Sequence, residues 1–158
     1  MSRKNDKTNV MRLLEQHGIE YESLCYKETG MIAGDDVARA LGEDPTLVFK
    51  TLVTVGKSGG HYVFLVPVSG ELDLKKGAKA AGEKYIEMIK SRELLPLTGY
   101  IHGGCSPIGM KKQFPTFVDA SARDMDFIYF SGGRIGYQVR VSPKDLGKIV
   151  PVEFAELV

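Results

Sequence analysis

The stretch GYIHGGCSPIGMKK, residues 99–112, places a histidine and a cysteine three residues apart, as in a thiol nucleophile and its base. A reactive cysteine also needs a nearby cation or helix N-terminus, and its base needs a third group that orients the ring. The spacing of His102 and Cys105 supplies neither, so packing is the better interpretation of both. The sequence has no C-x-x-C pair, histidine cluster or H-E-x-x-H motif, and we expect no metal site.

Lys50 is the most unusual charged residue, because it stands inside the apolar run VFKTLV. On a strand its same-face neighbours are Val48 and Leu52. Such a lysine must hold its ammonium in a cleft, find a partner, or be desolvated at a cost of several kcal/mol. In a cleft it could bind a carbonyl, carboxylate or phosphate. A lysine at a strand end that reaches solvent is the alternative, and the residues alone leave both open.

Two glycine-rich segments, GGCSPIG and SGGRIG, are more informative for their backbones than for their side chains. Gly103 and Gly104 in the first permit positive φ and a close approach of a ligand to the main chain. Exposed N–H groups in such loops can bind an oxyanion or a phosphate. The second segment repeats the pattern with Ser131 and Arg134. Neither matches a P-loop or a dinucleotide fingerprint, and turns explain most glycines of this kind.

The composition is typical of a soluble globular protein, with 43% apolar and 26% charged residues. The length of 158 residues suits one domain spanning 1–158. No apolar run approaches the ~20 residues needed to cross a bilayer, and the polar start lacks a signal-peptide core. We therefore expect a cytoplasmic protein with no membrane partner and with Cys25 and Cys105 reduced and mostly buried. A net charge of +1 gives the whole molecule no general attraction to nucleic acid.

Hydrophobic periodicity and turn signals predict the elements that must position these residues. Helices are predicted at 8–17, 34–42, 72–81 and 90–95, the third interrupted by Gly77 and the last ending near Pro96. Strands are predicted at 19–26, 47–55, 61–68, 115–121, 126–131 and 136–142, and 143–147 is predicted to be a turn or helix. The second and third strands, joined by GKSGG, form a hairpin that is apolar on both faces and therefore central. Strands in blocks with helices between them predict a mixed α/β or α+β sheet.

Five segments, taken together and in order, resemble the YbaK family of free-standing aminoacyl-tRNA editing proteins, the Cys-tRNA(Pro) deacylases. They are VFKTLV, DLKKGAKAAG, TGYIHGGCSPIGMKK, SGGRIGYQVRVSPKDL and PVEFAEL. Relatives of that family include the editing domain inserted in bacterial prolyl-tRNA synthetases. The likeness spans nearly the whole chain, and the F-K-T strand combined with the G-G-x-S-P-x-G loop is specific. It implies a compact α/β domain on a mixed, barrel-like sheet, acting without a cofactor or a metal.

The resemblance also implies roles for individual residues. Lys50 falls on the essential strand lysine of the family. The other catalytic positions are Gly103, Ser131 and Gly133, and the substrate-binding positions are Tyr26, Thr51, Gly104, Ser106 and Pro107. Lys75, Lys76, Lys79 and Arg134 are candidates for binding acceptor-stem phosphates, although such lysines most often form a solvated helix face. The loop at 27–34 departs from the family pattern, with Ala33 where an aromatic residue is often seen.

The family chemistry takes its nucleophile from the substrate. The thiol of the attached cysteine attacks its own ester carbonyl, which gives a cyclic thiolactone and frees the tRNA. The protein then orients the substrate and stabilises the oxyanion, a task that suits Lys50 and loop N–H groups. Cys105 stands where members commonly carry an aliphatic residue, which implies a packing role.

The resemblance therefore predicts a trans-acting deacylase for Cys-tRNA(Pro), with Cys-tRNA(Cys) as a second substrate. The predicted partners are the mischarged tRNA and prolyl-tRNA synthetase. Two alternatives stay open. One is a non-catalytic tRNA- or synthetase-binding module of the same fold, and the other is a deacylase for another ester such as Ala-tRNA(Pro).

Overall fold

A computed structural model describes residues 7–25 and 42–158 of the chain. In these ranges the helices are α1 (Asn9–Gln16), α2 (Leu74–Ala81), α3 (Ser91–Thr98) and α4 (Pro143–Ile149), with one 3-10 helix at Ala120–Asp124. The strands are β1 (Glu22–Cys25), β2 (Phe49–Gly56), β3 (His61–Pro67), β4 (Ile86–Met88), β5 (Thr116–Asp119), β6 (Ile128–Ser131), β7 (Tyr137–Val141) and β8 (Val152–Ala155). None of the helices in these ranges has the length and apolar character needed to traverse a bilayer.

The strands form two sheets. One is antiparallel with the order β1-β7-β6, and the other has the order β4-β2-β3-β5-β8. In the larger sheet, β2 is antiparallel to both β4 and β3, whereas β3, β5 and β8 run parallel. The predicted α/β class, the mixed sheet and the central hairpin of β2 and β3 are confirmed. The described strands do not close into a barrel, so the barrel-like form expected from the resemblance is corrected to two separate sheets.

The two sheets meet at the residues just before β2. The amide of Tyr129 in β6 donates to the carbonyl of Leu47 at 2.9 Å, and Val48 forms an isolated parallel bridge with Tyr129. The amide of Val68, directly after β3, donates to the carbonyl of Val48 at 2.8 Å. One extended segment therefore bonds to both sheets and places the start of β2 beside β6.

The main core fills the space between the sheets and beneath α1. Phe49 and Leu65 from the larger sheet pack in one cluster with Phe130 and Val139 from the smaller sheet and Leu14 from α1. Burial of each such side chain stabilises the fold by about 1.5–3 kcal/mol. Because this cluster takes side chains from both sheets, it fixes their relative position.

A second cluster covers the opposite face of the larger sheet. Phe64 of β3 and Phe117 of β5 stack with ring centroids 5.4 Å apart, and Ala78 of α2 packs against them. Strand β3 is therefore buried on both faces, which explains why its sequence is continuously apolar rather than alternating.

Gly77 does not interrupt α2, contrary to the sequence prediction. Its amide donates to the carbonyl of Asp73 at 2.9 Å, so the helix is continuous through it. A Cβ atom at this position would lie 2.8 Å from Cδ1 of Ile86. The glycine thus permits the close approach of α2 to β4 and does not break the helix.

The next helix was predicted to end near Pro96, and it ends two residues beyond that proline. Helix α3 includes the proline and continues to Thr98, whose hydroxyl donates to the carbonyl of Leu94 at 2.8 Å. The helix ends at Gly99, which has a left-handed φ of +87°. The strands β4 and β8 were not predicted. The segment 143–147, predicted to be a turn or a helix, is helical in the structure. The helix predicted at 34–42 lies outside the described residues.

Asp119, at the end of β5, is a buried carboxylate that holds the C-terminal segment. It accepts hydrogen bonds from the amide of Leu157 at 2.9 Å and from the amide of Ser121 at 3.2 Å. Its carboxylate therefore ties the last residues of the chain to the parallel part of the sheet.

We predict that Asp119→Ala lowers the free energy of unfolding by about 2 kcal/mol, since the buried amide of Leu157 would lose its acceptor. Urea denaturation followed by circular dichroism measures this change. Asp124→Ala removes an exposed carboxylate from the adjacent 3-10 helix and is the control, with an expected change within about 0.5 kcal/mol. Equal denaturation midpoints for the wild type and Asp119→Ala would contradict this role.

Candidate active site

A cavity of about 470 Å³ lies at an edge of β2. On one side β2 pairs with β3 from Phe49 to Val55, but on the other side it pairs with β4 only at 54–56. Among the residues that the structure describes, the edge at 50–52 has no strand partner on that second side. The volume is in the range of small-molecule sites.

Four parts of the chain surround this cavity. They are β2, the connection from β4 into α3, the loop at 102–105, and the ends of β6 and β7, and Val48 before β2 and Val68 after β3 complete the lining. Much of the lining is apolar, and its polar members include Lys50, Thr51, Lys90, His102, Ser131 and Gln138. The described part of the lining contains no aspartate or glutamate. The site therefore combines an apolar pocket with cationic and neutral hydrogen-bonding groups.

The sequence left two positions open for Lys50, in a cleft or at a strand end that reaches solvent. In the structure Lys50 lines the cavity. Its side chain is 29% exposed and its Nζ lies 3.5 Å from Oε1 of Glu71. Glu71 is 91% exposed, and an ion pair with so exposed a partner contributes little to stability. The ammonium can therefore be transferred to a ligand in the cavity at low cost.

The first glycine-rich segment contributes Gly103 to the cavity wall, with a φ of +90°. The next amide, of Gly104, is directed away from the cavity, since it donates to the carbonyl of Ile101 at 3.0 Å. A Cβ on Gly104 would lie 3.1 Å from the backbone nitrogen of Ile135 in the second glycine-rich segment. Gly104 therefore does not line the cavity but permits the two loops to pack together.

Ser106 and Pro107 are buried behind the loop and do not line the cavity. The hydroxyl of Ser106 accepts from the amide of Ile108 at 3.4 Å. The phenol of Tyr100 donates to the carbonyl of the same residue, and burial, followed by the nearby Cys105, raises the pKa of this phenol to about 12. The structure thus places Ser106 and Pro107 in the base that holds the loop.

The second glycine-rich segment also has one residue that lines the cavity and another that packs behind it. Ser131, at the end of β6, lines the cavity, and its hydroxyl accepts from the amide of Gly133 at 3.1 Å. Gly133 itself does not line the cavity, and it has a φ of +95°. A Cβ there would lie 2.7 Å from Cγ2 of Val10, so this glycine permits α1 to pack on the loop.

The four residues predicted to bind tRNA are all exposed, and none of them lines the cavity. Lys75, Lys76 and Lys79 lie on α2, where Nζ of Lys76 donates to the carbonyl of Val158 at 2.6 Å. Arg134 lies in the second glycine-rich segment, with its guanidinium 5.3 Å from the centroid of the Tyr137 ring.

Tyr26, which the resemblance placed in the pocket, lies outside the described residues. Of the predicted catalytic and substrate-binding residues, the structure brings Lys50, Thr51, Gly103 and Ser131 together at one cavity.

His102 and Cys105 both line the cavity, but no hydrogen bond joins them in the described structure. The Cys105 thiol is 9% exposed, and burial raises its pKa to about 12. It is therefore protonated at neutral pH, opposite to the requirement for a thiolate nucleophile. In the ranges described, no three His, Cys, Asp or Glu side chains are grouped so that they could hold a metal ion.

The sequence analysis did not single out several lining residues, among them the polar residues Lys90 and Gln138. Lys90 immediately precedes α3, and its backbone amide donates to Oε1 of Glu93 at 2.8 Å. Gln138 is buried in β7 between Tyr137 and Val139, both also buried. A polar residue in such an apolar run was the available signal for Gln138, whereas Lys90 has no distinguishing pattern.

We predict that the two cysteines differ in reactivity. Cys25 is exposed, which corrects the expectation that both thiols are mostly buried, because β1 is an edge strand. At pH 8 a thiol with a pKa near 12 reacts on the order of a thousand-fold more slowly than an ordinary one.

Labelling with iodoacetamide, with the modified residues identified by mass spectrometry, should therefore modify Cys25 first. Cys105 should react only after denaturation. Equally fast modification of both cysteines in the folded protein would contradict the burial and raised pKa of Cys105.

Comparison with known proteins identifies relatives across most of the chain. The family described as aminoacyl-tRNA editing domain matches residues 31–149. A protein of Enterococcus faecalis, EbsC, named as a candidate Cys-tRNA(Pro)/Cys-tRNA(Cys) deacylase, is 43% identical over 152 residues, covering 96% of this chain and 93% of its own.

Two further matches concern prolyl-tRNA synthetase. The proline–tRNA ligase of Shouchella clausii is 31% identical over 110 residues, which are 69% of this chain and 19% of the ligase. A crystal structure described as a candidate trans-editing enzyme for prolyl-tRNA synthetase superimposes with a TM-score of 0.79. It is 26% identical, and the match covers 95% of this chain and 97% of that one.

Proposed function

The chain belongs to the aminoacyl-tRNA editing domain family, and we propose that it removes cysteine from mischarged Cys-tRNA(Pro) and from Cys-tRNA(Cys). The observation that carries this proposal is the position of Lys50 at the open edge of β2, in one cavity with Gly103 and Ser131. The name given to the 43% identical relative supports the choice of substrates. The proposed place of action is the cytoplasm, where charged tRNA is used.

The proposed chemistry needs no nucleophile from the protein. The thiol of the attached cysteine forms a bond to its own ester carbonyl carbon, and the bond from that carbon to the tRNA oxygen breaks. The thiol proton passes to the leaving oxygen, so the products are a cysteine thiolactone and tRNA with a free hydroxyl. Water then hydrolyses the thiolactone to cysteine. An attack within one molecule benefits from a high effective concentration of the thiol.

The role proposed for the protein is orientation and charge stabilisation. The ammonium of Lys50 and the backbone at Gly103 bind the carbonyl oxygen as it becomes negative. Thr51 and Ser131 contact the substrate from β2 and β6. Tyr26 is proposed for the same pocket on the family resemblance.

Four residues of the loops are assigned to shaping the site, since their backbones or side chains lie behind the cavity wall. They are Gly104, Ser106, Pro107 and Gly133. For Gly133, which the resemblance implied to be catalytic, we propose a packing role on the basis of its contact with α1.

The tRNA is proposed to approach across the side of the cavity formed by β4 and α3. Lys90 lines the cavity there and is a candidate for phosphate contact. The exposed lysines of α2 and Arg134 are further candidates, and α2 packs directly on β4. Phosphate contacts give affinity without base specificity. Selection of tRNA(Pro) is therefore proposed to involve prolyl-tRNA synthetase as a partner.

We predict that Lys50→Ala lowers kcat/KM for deacylation of Cys-tRNA(Pro) by at least about a hundredfold, the effect of losing an oxyanion-stabilising group. Release of labelled cysteine from the tRNA measures the rate. Lys57→Ala, which removes an exposed lysine from the β2–β3 turn, is the matched control and should keep wild-type activity. Equal rates for the wild type and Lys50→Ala would remove this residue from the mechanism. Binding of charged tRNA without turnover by the wild type would favour the non-catalytic module.

The substrate-thiol mechanism predicts that Ala-tRNA(Pro) and Ser-tRNA(Pro) are cleaved at least about a hundredfold more slowly than Cys-tRNA(Pro), since neither has the attacking thiol. The three esters are compared on the same tRNA. Cys105→Ala is the control for the protein thiol and should keep activity within a few-fold. Comparable turnover of the alanyl and cysteinyl esters would show that water or a protein group attacks instead.

A further inference from the structure

Gln138 has a buried carboxamide oxygen that no group in the described part of the chain satisfies. The residue is 7% exposed, and its Oε1 is shielded from solvent and has no hydrogen-bond partner. It lines the cavity from β7, where its backbone pairs in register with Ser131 of β6. The other unpartnered buried side-chain oxygen of the described residues, Oγ1 of Thr51, belongs to a residue of the same cavity.

Unpartnered buried oxygens are rare in folded proteins, because the polar group loses its hydrogen bonds to water and gains nothing in return. The other buried polar side chains illustrate the usual outcome. The carboxylate of Asp119 accepts from two amides, and the hydroxyl of Thr54 donates to the carbonyl of Tyr62. That both exceptions lie at one cavity indicates that their partners come from a ligand.

The charges around the cavity restrict what this ligand group can be. A carboxamide oxygen accepts hydrogen bonds and cannot donate them, so its partner carries an N–H or O–H. The described lining offers the ammonium groups of Lys50 and Lys90 but no carboxylate. A ligand amino group must therefore bind to neutral oxygens in this part of the site.

We propose that the carboxamide oxygen of Gln138 accepts a hydrogen bond from the amino group of the aminoacyl ester and so positions the substrate carbonyl at Lys50. This inference rests on the proposed deacylase function. In the substrate, the amino group is one carbon away from the ester carbonyl. In the protein, Gln138 lies opposite Ser131 on the neighbouring strand, and both residues line the cavity. The torsion that orients a glutamine amide is soft, so the shielded oxygen turns toward the ligand on binding.

The test combines a change in the protein with the matching change in the substrate. Gln138→Met keeps the length of the side chain and removes the acceptor. The substrates are Cys-tRNA(Pro) and 3-mercaptopropionyl-tRNA(Pro), which has the same ester and thiol but no amino group. The comparison uses the ratio of wild-type to variant kcat/KM for each substrate, so intrinsic differences in ester reactivity cancel.

We expect Gln138→Met to lower kcat/KM for Cys-tRNA(Pro) by about tenfold or more, the effect of one lost hydrogen bond to a polar ligand group. For the substrate without an amino group the same variant should differ from the wild type by less than about twofold. Gln138→Glu, which keeps an acceptor oxygen at the same place, should retain a preference for the amino-bearing ester. Gln16→Met, an exposed glutamine at the end of α1, is the control and should change neither rate.

Equal losses on both substrates would overturn the proposal, since Gln138 would then act on something other than the amino group. The melting temperature provides a second criterion. Replacing an unsatisfied buried amide by methionine should leave it unchanged or raise it, whereas a fall of several degrees would assign Gln138 a structural role instead. Failure of the wild-type protein to cleave Cys-tRNA(Pro) at all would instead overturn the deacylase function, and this inference with it.

Discussion

The site depends on one segment, Leu47–Val48, whose carbonyls accept hydrogen bonds from both sheets. This junction adds backbone hydrogen bonding between the segment before β2 and strand β6 to the core packing that holds the two sheets together. With it, Lys50 lies two residues from the junction on one sheet, and Ser131 lies two residues from the bridged Tyr129 on the other. A strand rises about 3.3 Å per residue, so this short distance along each strand brings the two side chains to the same cavity.

The same junction explains why the cavity exists. Strand β4 pairs with β2 only at 54–56, and β6, which pairs with β7 in the smaller sheet, reaches this edge only at the segment before β2. Within residues 7–25 and 42–158, no strand pairs with the backbone between those two points, and natural proteins usually protect such an edge. Here the loop at 102–105 and the start of α3 cover it from a distance, so the edge faces a pocket instead of another strand.

The sequence predicted the parts of the fold that have strong local signals. The hairpin of β2 and β3 was predicted because two long apolar runs flank a glycine-rich turn. The strand β4 has only three residues, too few for alternation to be recognised, and it pairs at the edge of the larger sheet. The strand β8 was also missed, although it is as long as β5 and β6, which were predicted. Gly77 was misinterpreted because a glycine that permits close packing and a glycine that ends a helix cannot be told apart from the sequence alone. In the structure it lets α2 approach Ile86.

The sequence predicted those residues of the candidate site that belong to the family motif. It did not predict which of them line the cavity, because that depends on tertiary packing. Lys50 was recognisable in both ways, as a charge in an apolar strand and as a motif position. By contrast, motif membership did not separate Gly103, which lines the cavity, from Gly104 and Gly133, which permit close packing behind it. That distinction depends on tertiary contacts, of Gly104 with the second glycine-rich segment and of Gly133 with Val10 of α1.

The raised pKa of Cys105 shows how this cavity affects a thiol that has no cation beside it. Burial alone raises the pKa of this thiol to about 12, with no cation acting to lower it. A substrate thiol in the same apolar cavity meets the same desolvation, which disfavours the thiolate needed for attack. On the proposal that Lys50 binds the ester carbonyl oxygen, its ammonium is a cation close to the bound substrate, whereas no cation lowers the pKa of Cys105. On this argument a protein thiol and a substrate thiol can share one pocket while only the substrate thiol reacts.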